Sequence, residues 1–347
     1  MARPPRHARH RSAMRTVLAG VAALPLAMVG CESSPSATTA TPSQPARAAS
    51  GDRDINRGQL LRQRGDLDAA LNAFNNALAD NPDLVDAHLG VGDVYRDRED
   101  YPAAERAYQR AATLDPTNFD AHYYLGLTRQ FLGRITESIA AYRRAIALRP
   151  DAPEAHRDLA AAYLQGGRPR DAVAAAQQAV RLAPDDQPAW FNLAAAQSLT
   201  GNYDQAIQSY RRAAELGPIP DQIALGLADA HLKLGNLDRA VNTLLTLTAA
   251  SPDSATAHER LGYAYFRQRK FDSADAAYAD AVQLAPNSTA ALNGLGATRM
   301  TRYLLASRDA PGDFTLRDQA RALWRRSLEV NPNQTVIVDL LNRYAGL

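Results

Sequence analysis

The chain contains 347 residues, of which 46% are hydrophobic and 7% aromatic, so it can bury enough apolar surface to fold. Five of its 39 basic residues and none of its 37 acidic residues fall within the first 30 positions, so the rest of the chain is slightly acidic despite a formal net charge of +2. Such a remainder has no general attraction for phosphate backbones, which argues against nucleic-acid binding. The single cysteine allows neither an internal disulfide nor a cysteine-based metal site.

Residues 1–30 have the layout of a secretory signal peptide. A basic stretch ends at Arg15, and an apolar run then extends from Thr16 to Gly30. This run is shorter than the roughly 20 residues that a helix needs to cross a bilayer. We therefore expect it to direct export rather than to remain as a membrane span.

The residues that end at the only cysteine, Ala27-Met28-Val29-Gly30-Cys31, resemble a bacterial lipobox, although Met28 stands where leucine is commonest. The resemblance implies cleavage before Cys31, lipidation of its thiol and acylation of the new N-terminus, which together give stable multi-chain anchoring. It predicts an exported protein of the bacterial cell envelope, lipid-anchored at the outer membrane, its periplasmic face or the cell surface. An ordinary signal peptide cleaved near Cys31 is the alternative.

Residues 31–50 are rich in Ser, Thr, Ala and Pro and contain almost no large apolar side chain. Such a segment cannot bury enough surface to offset the entropy lost on folding. We predict a disordered tether that holds the folded part of the chain away from a membrane surface.

A proline ladder with a spacing of 34 residues runs along most of the remaining chain. A fixed period of this size indicates one supersecondary unit stacked on copies of itself. Pro332 resembles a further member displaced by an insertion, which we place at about residues 302–314 in the last unit. The members of the ladder are Pro82, Pro116, Pro150, Pro184, Pro218, Pro252 and Pro286.

Aligning the prolines at position 32 defines the other positions of the unit. Position 8 is Gly or Ala, position 20 is Ala in most units, and position 24 is a large side chain in most units. Small residues let two helices approach closely, and large residues fill the space beside them. A glycine at position 15 marks the turn between the helices in several units. The units begin at Gly51, Val85, Phe119, Pro153, Gln187, Asp221, Ala255 and Thr289.

This pattern resembles the tetratricopeptide repeat over residues 51 to about 332. The resemblance implies an all-α superhelical solenoid of about eight helix–turn–helix units, each with a first helix A and a second helix B. Residues 335–347, with Ile337 and Leu340 on one apolar face, predict a C-terminal capping helix. The solenoid is therefore expected to occupy residues 51–347.

Histidines recur at position 4 of four units, where they could suggest a metal site. Each lies in a different unit, and side chains one repeat apart cannot share one ion at ligand distances near 2 Å, so we interpret them as packing residues. Phosphate-binding loops and catalytic signatures are also lacking in the sequence. We predict no metal, no cofactor and no enzymatic activity. The histidines are His88, His122, His156 and His258.

In the tetratricopeptide fold, positions 2, 5, 6, 9, 12 and 13 of the A helices line a groove. Aromatic residues at these positions are expected to be surplus to packing, and beside Arg and Asn they have the composition of an interface hot spot. The alternative is that they pack laterally on the next A helix. The predicted partner-binding residues are Arg62, Arg96, Tyr123, Leu127, Gln130, Phe131, Arg157, Phe191, Asn192 and Tyr263.

Chaperone-binding members of the family hold a peptide carboxylate with Lys and Asn in the first two units and basic residues in the third. This chain has Ile55, Gln59 and Gly90 in the first two units, then Tyr123 and Tyr124. The clamp is absent, so we do not expect that class of partner.

The combined prediction is a non-catalytic, envelope-anchored scaffold that binds a protein or peptide segment in its groove. An assembly lipoprotein of a pilus, secretion or exopolysaccharide machine is an alternative, since lipoproteins of this family often take such a role. A carbohydrate-binding or enzyme-associated protein is a second alternative, because the groove carries acids and aromatics.

Overall fold

The computed structural model describes residues 44–306 and 314–344, with side chains from residue 51 onward. Every regular element in these ranges is a helix, and consecutive helices pack against each other and are joined by short connections. The predicted all-α solenoid of paired helices is confirmed. The helices are α1 (Gln44–Gln63), α2 (Leu67–Asp80), α3 (Val85–Asp97), α4 (Tyr101–Leu114), α5 (Phe119–Phe131), α6 (Ile135–Leu148), α7 (Pro153–Gln165), α8 (Pro169–Leu182), α9 (Gln187–Leu199), α10 (Tyr203–Glu215), α11 (Asp221–Lys233), α12 (Leu237–Ala250), α13 (Ala255–Arg267), α14 (Phe271–Leu284), α15 (Thr289–Ala306), α16 (Thr315–Val330) and α17 (Thr335–Arg343).

The odd-numbered helices from α1 to α15 are the A helices, and from α3 to α15 each begins 34 residues after the one before. Each A helix packs against the B helix of its own unit and, from α3 onward, against the B helix of the preceding unit. Neighbouring A helices also contact one another, for example α7 with α9 and α11 with α13. Side chains on the A helices of successive units therefore form one continuous face.

The residue at position 15 forms the turn between the two helices of a unit. Five units have a glycine there with a positive φ, for example 73° at Gly133 and 77° at Gly235. Glu99 and Arg269 occupy the same position in two other units with φ of 62° and 63°. This left-handed conformation is unstrained for glycine and costs a residue with a Cβ about 1 kcal/mol.

In five units an aromatic ring at position 24 lies at the centre of the unit, and each of these rings packs against a glycine of an A helix. The fully buried ring of Phe74 lies between Gly58 and Gly90, and a Cβ added at Gly58 would be 2.7 Å from Cε1 of that ring. The ring of Tyr278 lies between Gly262 and Gly294 in the same way. The glycines are therefore required for the close approach of helix to ring.

The first helix begins earlier than the sequence indicated. Helix α1 starts at Gln44, so residues 44–50 of the predicted disordered tether are helical, which corrects that part of the boundary. Pro45 is compatible with the first turn of a helix, and the alanines that follow have high helix propensity. The signal-like residues 1–30 and Cys31 lie outside the described residues.

The C-terminal end of the stack is closed by α17. Trp324 of α16 is 1% exposed, and its ring stacks on Tyr344 at a centroid distance of 6.2 Å. Ile337 of α17 is buried in the same cluster. The predicted insertion at 302–314 overlaps the end of α15, whereas residues 307–313 and 345–347 lie outside the described residues. Within the ranges that the structure describes, none of the helices is long and apolar enough to cross a membrane.

Candidate partner-binding groove

The groove is defined here as the face formed by positions 2, 5, 6, 9, 12 and 13 of the A helices. At its N-terminal end, Arg62 is paired with two carboxylates of the next A helix, at 2.5 Å from Asp93 and 2.7 Å from Asp97. Arg96 is paired with Asp93 at 3.1 Å, and its guanidinium lies 4.6 Å from the ring centroid of Tyr124. These two of the three predicted partner-binding arginines are therefore already engaged within the protein.

A buried phenol completes this network. The hydroxyl of Tyr108, which is fully buried, donates a hydrogen bond of 2.7 Å to Asp93. Burial and the negative charge of Asp93 raise the pKa of Tyr108 well above its ordinary value. The network therefore connects the A helices of the first two units to the interior of the second unit.

The predicted residues of the third unit differ in exposure. The hydroxyl of Tyr123 donates to Asp158 of the next A helix at 2.7 Å, and burial raises the pKa of this phenol. Leu127 packs on the core of the neighbouring unit. Gln130 donates to Gln165 at 3.1 Å. Phe131 is 59% exposed and stacks on Tyr101 at a centroid distance of 4.8 Å, so one of its faces is available to solvent.

In the fourth and fifth units the predicted residues bind one another. Arg157 is paired with Asp158 at 2.8 Å and with Asp186 at 3.3 Å. Asn192 donates to the carbonyl oxygen of Arg157 at 3.2 Å. The half-buried Phe191 packs on a cluster that includes Tyr210 of its own unit and Ile223 of the next. These contacts run along the groove from one A helix to the next.

The expectation that groove aromatics are surplus to packing is wrong for Tyr123 and Phe191. Their rings fill the space between adjacent units, as the lateral-packing alternative proposed. Phe131 and Tyr263, at 59% and 41% exposure, do present apolar surface to solvent. Leu199, at position 13 of the fifth unit, is 66% exposed and was missed. Its position in the repeat could have identified it, because Phe131 occupies the same position.

Two neighbouring cavities lie in the C-terminal half of the groove. The first, of about 390 Å³, lies between α11 and α13 and is lined by Asp229, Leu232, Lys233, Arg260, Tyr263 and Arg267. The second, of about 460 Å³, lies between α9 and α11 and includes Leu199 and Tyr203. Asp229 and Lys233 line both, so the two cavities are contiguous.

The charged side chains that line the first cavity differ in their partners. Arg260 lies 3.1 Å from Asp229 and 3.2 Å from Glu259. Burial raises the pKa of Asp229, and Arg260 opposes that effect. Arg267 donates to the hydroxyl of Tyr263 at 3.0 Å and also lies 5.7 Å from the centroid of that ring. Of this set, Tyr263 is the predicted partner-binding residue.

The four repeated histidines are half-buried and share one interaction. In each of the four, Nε2 lies within 2.8 to 3.1 Å of the carbonyl oxygen of the periodic proline six residues earlier. Trp190, at the same position of the fifth unit, donates to Pro184 at 2.9 Å. Among the described residues, no group of three or more histidines or acids is placed to hold a metal ion.

A model of the tetratricopeptide repeat matches residues 55–119, 157–218 and 225–296, which is more than half of the chain. The chain belongs to the tetratricopeptide repeat family. Further models of tetratricopeptide repeats match residues 107–140 and 132–167, so the matches extend over the interior units. Tetratricopeptide repeat proteins are generally non-catalytic and bind protein or peptide partners.

Several solved structures share the fold of this tetratricopeptide repeat protein. A tetratricopeptide repeat protein from Parabacteroides merdae is 18% identical over 75% of this chain and 98% of that chain, with a TM-score of 0.56. PilF of Pseudomonas aeruginosa is 22% identical over 59% and 94% of the two chains, with a TM-score of 0.52. PilW, a type IV pilus biogenesis factor, is 20% identical over 61% and 96%, also with a TM-score of 0.52. No curated protein matches the chain.

Proposed function

We propose that this tetratricopeptide repeat protein is a non-catalytic scaffold that binds a segment of a partner protein along its groove. The observation that carries the proposal is the apolar surface left exposed on the A helices by Phe131, Leu199 and Tyr263. These side chains stand on helices that are packed on both neighbouring B helices, so a partner segment loses more entropy on binding than the groove does.

The exposed residues allow a direct test with a matched control. Phe131→Ala and Leu199→Ser remove apolar surface from the groove, whereas Leu245→Ala removes an exposed leucine from α12, a B helix. Crosslinking in native membranes followed by mass spectrometry should recover less partner with the groove variants and an unchanged amount with Leu245→Ala. Equal recovery from all three folded variants would contradict the proposal.

We also propose that the scaffold is exported and held at the bacterial cell envelope by a lipid on Cys31. The basic stretch, the apolar run and the lipobox-like residues before Cys31 support this location. Cys31→Ser should move the protein from the membrane fraction to the soluble fraction and remove the lipid mass from its N-terminal peptide. Retention of Cys31→Ser in the membrane fraction would favour an ordinary signal peptide and another mode of attachment.

An assembly role in an envelope machine is the second candidate. It is favoured by the combination of the lipobox-like segment with a long tetratricopeptide stack, and the similarity to PilF and PilW is a similarity of fold. The crosslinking experiment separates the two candidates. One recurrent client indicates a general scaffold, whereas several subunits of one membrane complex indicate an assembly factor.

A further inference from the structure

Charge is distributed unequally along the groove. The groove positions of the first four units hold seven acidic and three basic residues, whereas those of the last four hold two acidic and three basic residues. The first set is Asp52, Asp86, Asp93, Asp97, Asp120, Glu154 and Asp158 with Arg62, Arg96 and Arg157; the second is Asp229 and Glu259 with Lys233, Arg260 and Arg267. An extended ligand would therefore meet opposite electrostatic environments at the two ends.

The positive charge at the C-terminal end is concentrated in the cavity between α11 and α13. Three cations and one carboxylate line it. Arg260 is paired with Asp229, whereas no carboxylate in the described part of the chain forms an ion pair with Lys233 or Arg267. Both side chains are exposed. The cavity thus presents two cations that form no ion pair with a described carboxylate, although Lys233 helps to lower the pKa of Asp229 and Arg267 donates to Tyr263.

An apolar surface adjoins these cations directly. Lys233 also lines the neighbouring cavity, whose wall includes Ala195, Tyr203 and the 66% exposed Leu199. A ligand that spans both cavities would place an apolar side chain against Leu199 and a negative group against Lys233 and Arg267. An open groove in which apolar and cationic surface alternate fits an extended polypeptide.

We propose that the two cavities of units 5 to 7 bind an acidic segment of the partner protein, with carboxylates at Lys233 and Arg267 and an apolar side chain on Leu199. This inference rests on the proposed scaffold function and specifies the chemistry of its partner. The acidic N-terminal half of the groove repels the same segment, so the site also fixes where along the stack the segment binds.

The experiment uses purified full-length protein and fluorescence anisotropy of three labelled peptides. The peptides share their length and leucine positions and carry Asp, Asn or Lys at the intervening positions. The Asp peptide should bind most tightly, and its affinity should fall with added salt because the contacts are solvent-exposed. The double variant Lys233→Gln/Arg267→Gln should weaken the Asp peptide by roughly three- to tenfold and leave the Asn peptide unchanged.

Two single variants complete the test. Leu199→Ser should weaken the Asp and Asn peptides alike, because it removes the shared apolar contact. Arg239→Gln removes an exposed positive charge from α12 of the same unit, outside both cavities, and should change nothing. Equal binding of the three peptides, preference for the Lys peptide, or an unaffected double variant would overturn the inference.

A photo-crosslinking residue in place of Tyr203, which lines the same cavity as Leu199, separates this inference from the proposed function in cells. A partner crosslinked through an acidic sequence supports both. A partner crosslinked through a neutral or basic sequence overturns the inference and leaves the scaffold standing. Discrimination among the peptides without any crosslink in cells supports the site chemistry and contradicts the scaffold function.

Discussion

Gly92→Ala tests whether the glycines of the A helices are required by the rings opposite them. An added Cβ at this position would lie 2.6 Å from Cε1, 2.7 Å from Cδ1 and 2.8 Å from Cζ of Tyr108. The ring is fully buried, and its hydroxyl is held by Asp93 at 2.7 Å, so it cannot swing away at either end. The helix backbone or the ring must therefore shift.

The expected magnitude is a balance of two opposed effects. Overpacking of a dense core costs about 1–3 kcal/mol, whereas replacing glycine by alanine inside a helix contributes about 1 kcal/mol of stability. Gly92→Ala should therefore lower the free energy of unfolding by about 1 kcal/mol, and by no more than about 2 kcal/mol. Asn75→Ala, at an exposed site of α2, supplies the control in which only propensity changes.

Urea unfolding followed by circular dichroism measures the global effect, and hydrogen exchange of α3 and α4 amides measures the local one, since repeat stacks can open unit by unit. A double-mutant cycle with Tyr108→Leu should show a favourable coupling of about 1–3 kcal/mol, because the smaller side chain leaves room for the new methyl group. A variant Gly92→Ala that is more stable than the parent, or additive effects in the cycle, would refute the packing explanation.

Three further predictions concern the turns, the buried phenols and the repeated histidines. Glu99→Gly and Arg269→Gly should each raise the free energy of unfolding by about 1 kcal/mol, since both residues have a left-handed backbone; no gain in urea unfolding would show that the conformation is unstrained. Burial raises the pKa of Tyr108, Tyr142 and Tyr278 above the ordinary value of 10.0, so their contribution to stability is present below that pH and is lost as pH rises above it. The urea midpoint should decrease as pH is raised from 9 to 11 (roughly one unit on either side of the unfolded pKa), and it should decrease less steeply in Tyr108→Phe. An identical dependence of the midpoint on pH in both proteins would contradict this origin. His88→Phe keeps a ring but loses the hydrogen bond to Pro82 and should cost about 1 kcal/mol, whereas an unchanged urea midpoint would mean that the bond contributes nothing.

Periodicity predicted the architecture because the contacts that build each unit recur at fixed positions. The small residue at position 8 and the large residue at position 24 meet in the structure, as Gly58 meets Phe74 and Gly262 meets Tyr278. These contacts are local in sequence, lying within a single unit. One sequence was therefore enough to place them.

The exposure of individual groove residues could not be read from position alone, because it depends on the neighbouring unit. Tyr123 is held by Asp158, and Asn192 by the backbone of Arg157, so both depend on which residue the adjacent A helix supplies. The early start of α1 was missed for a different reason. The Ser, Thr, Ala and Pro content of residues 31–50 predicted disorder, although the alanines that follow Pro45 favour a helix.

Position 13 has a consequence for how such a stack can acquire new ligands. Leu199, Lys233 and Arg267 occupy it in three consecutive units, and all three are exposed. A replacement there changes what the surface attracts without disturbing the ring–glycine contacts that set the spacing of the helices. In this proposal, binding preference and helix packing therefore depend on different positions of the same 34-residue period. One can change by design or in evolution while the other is kept.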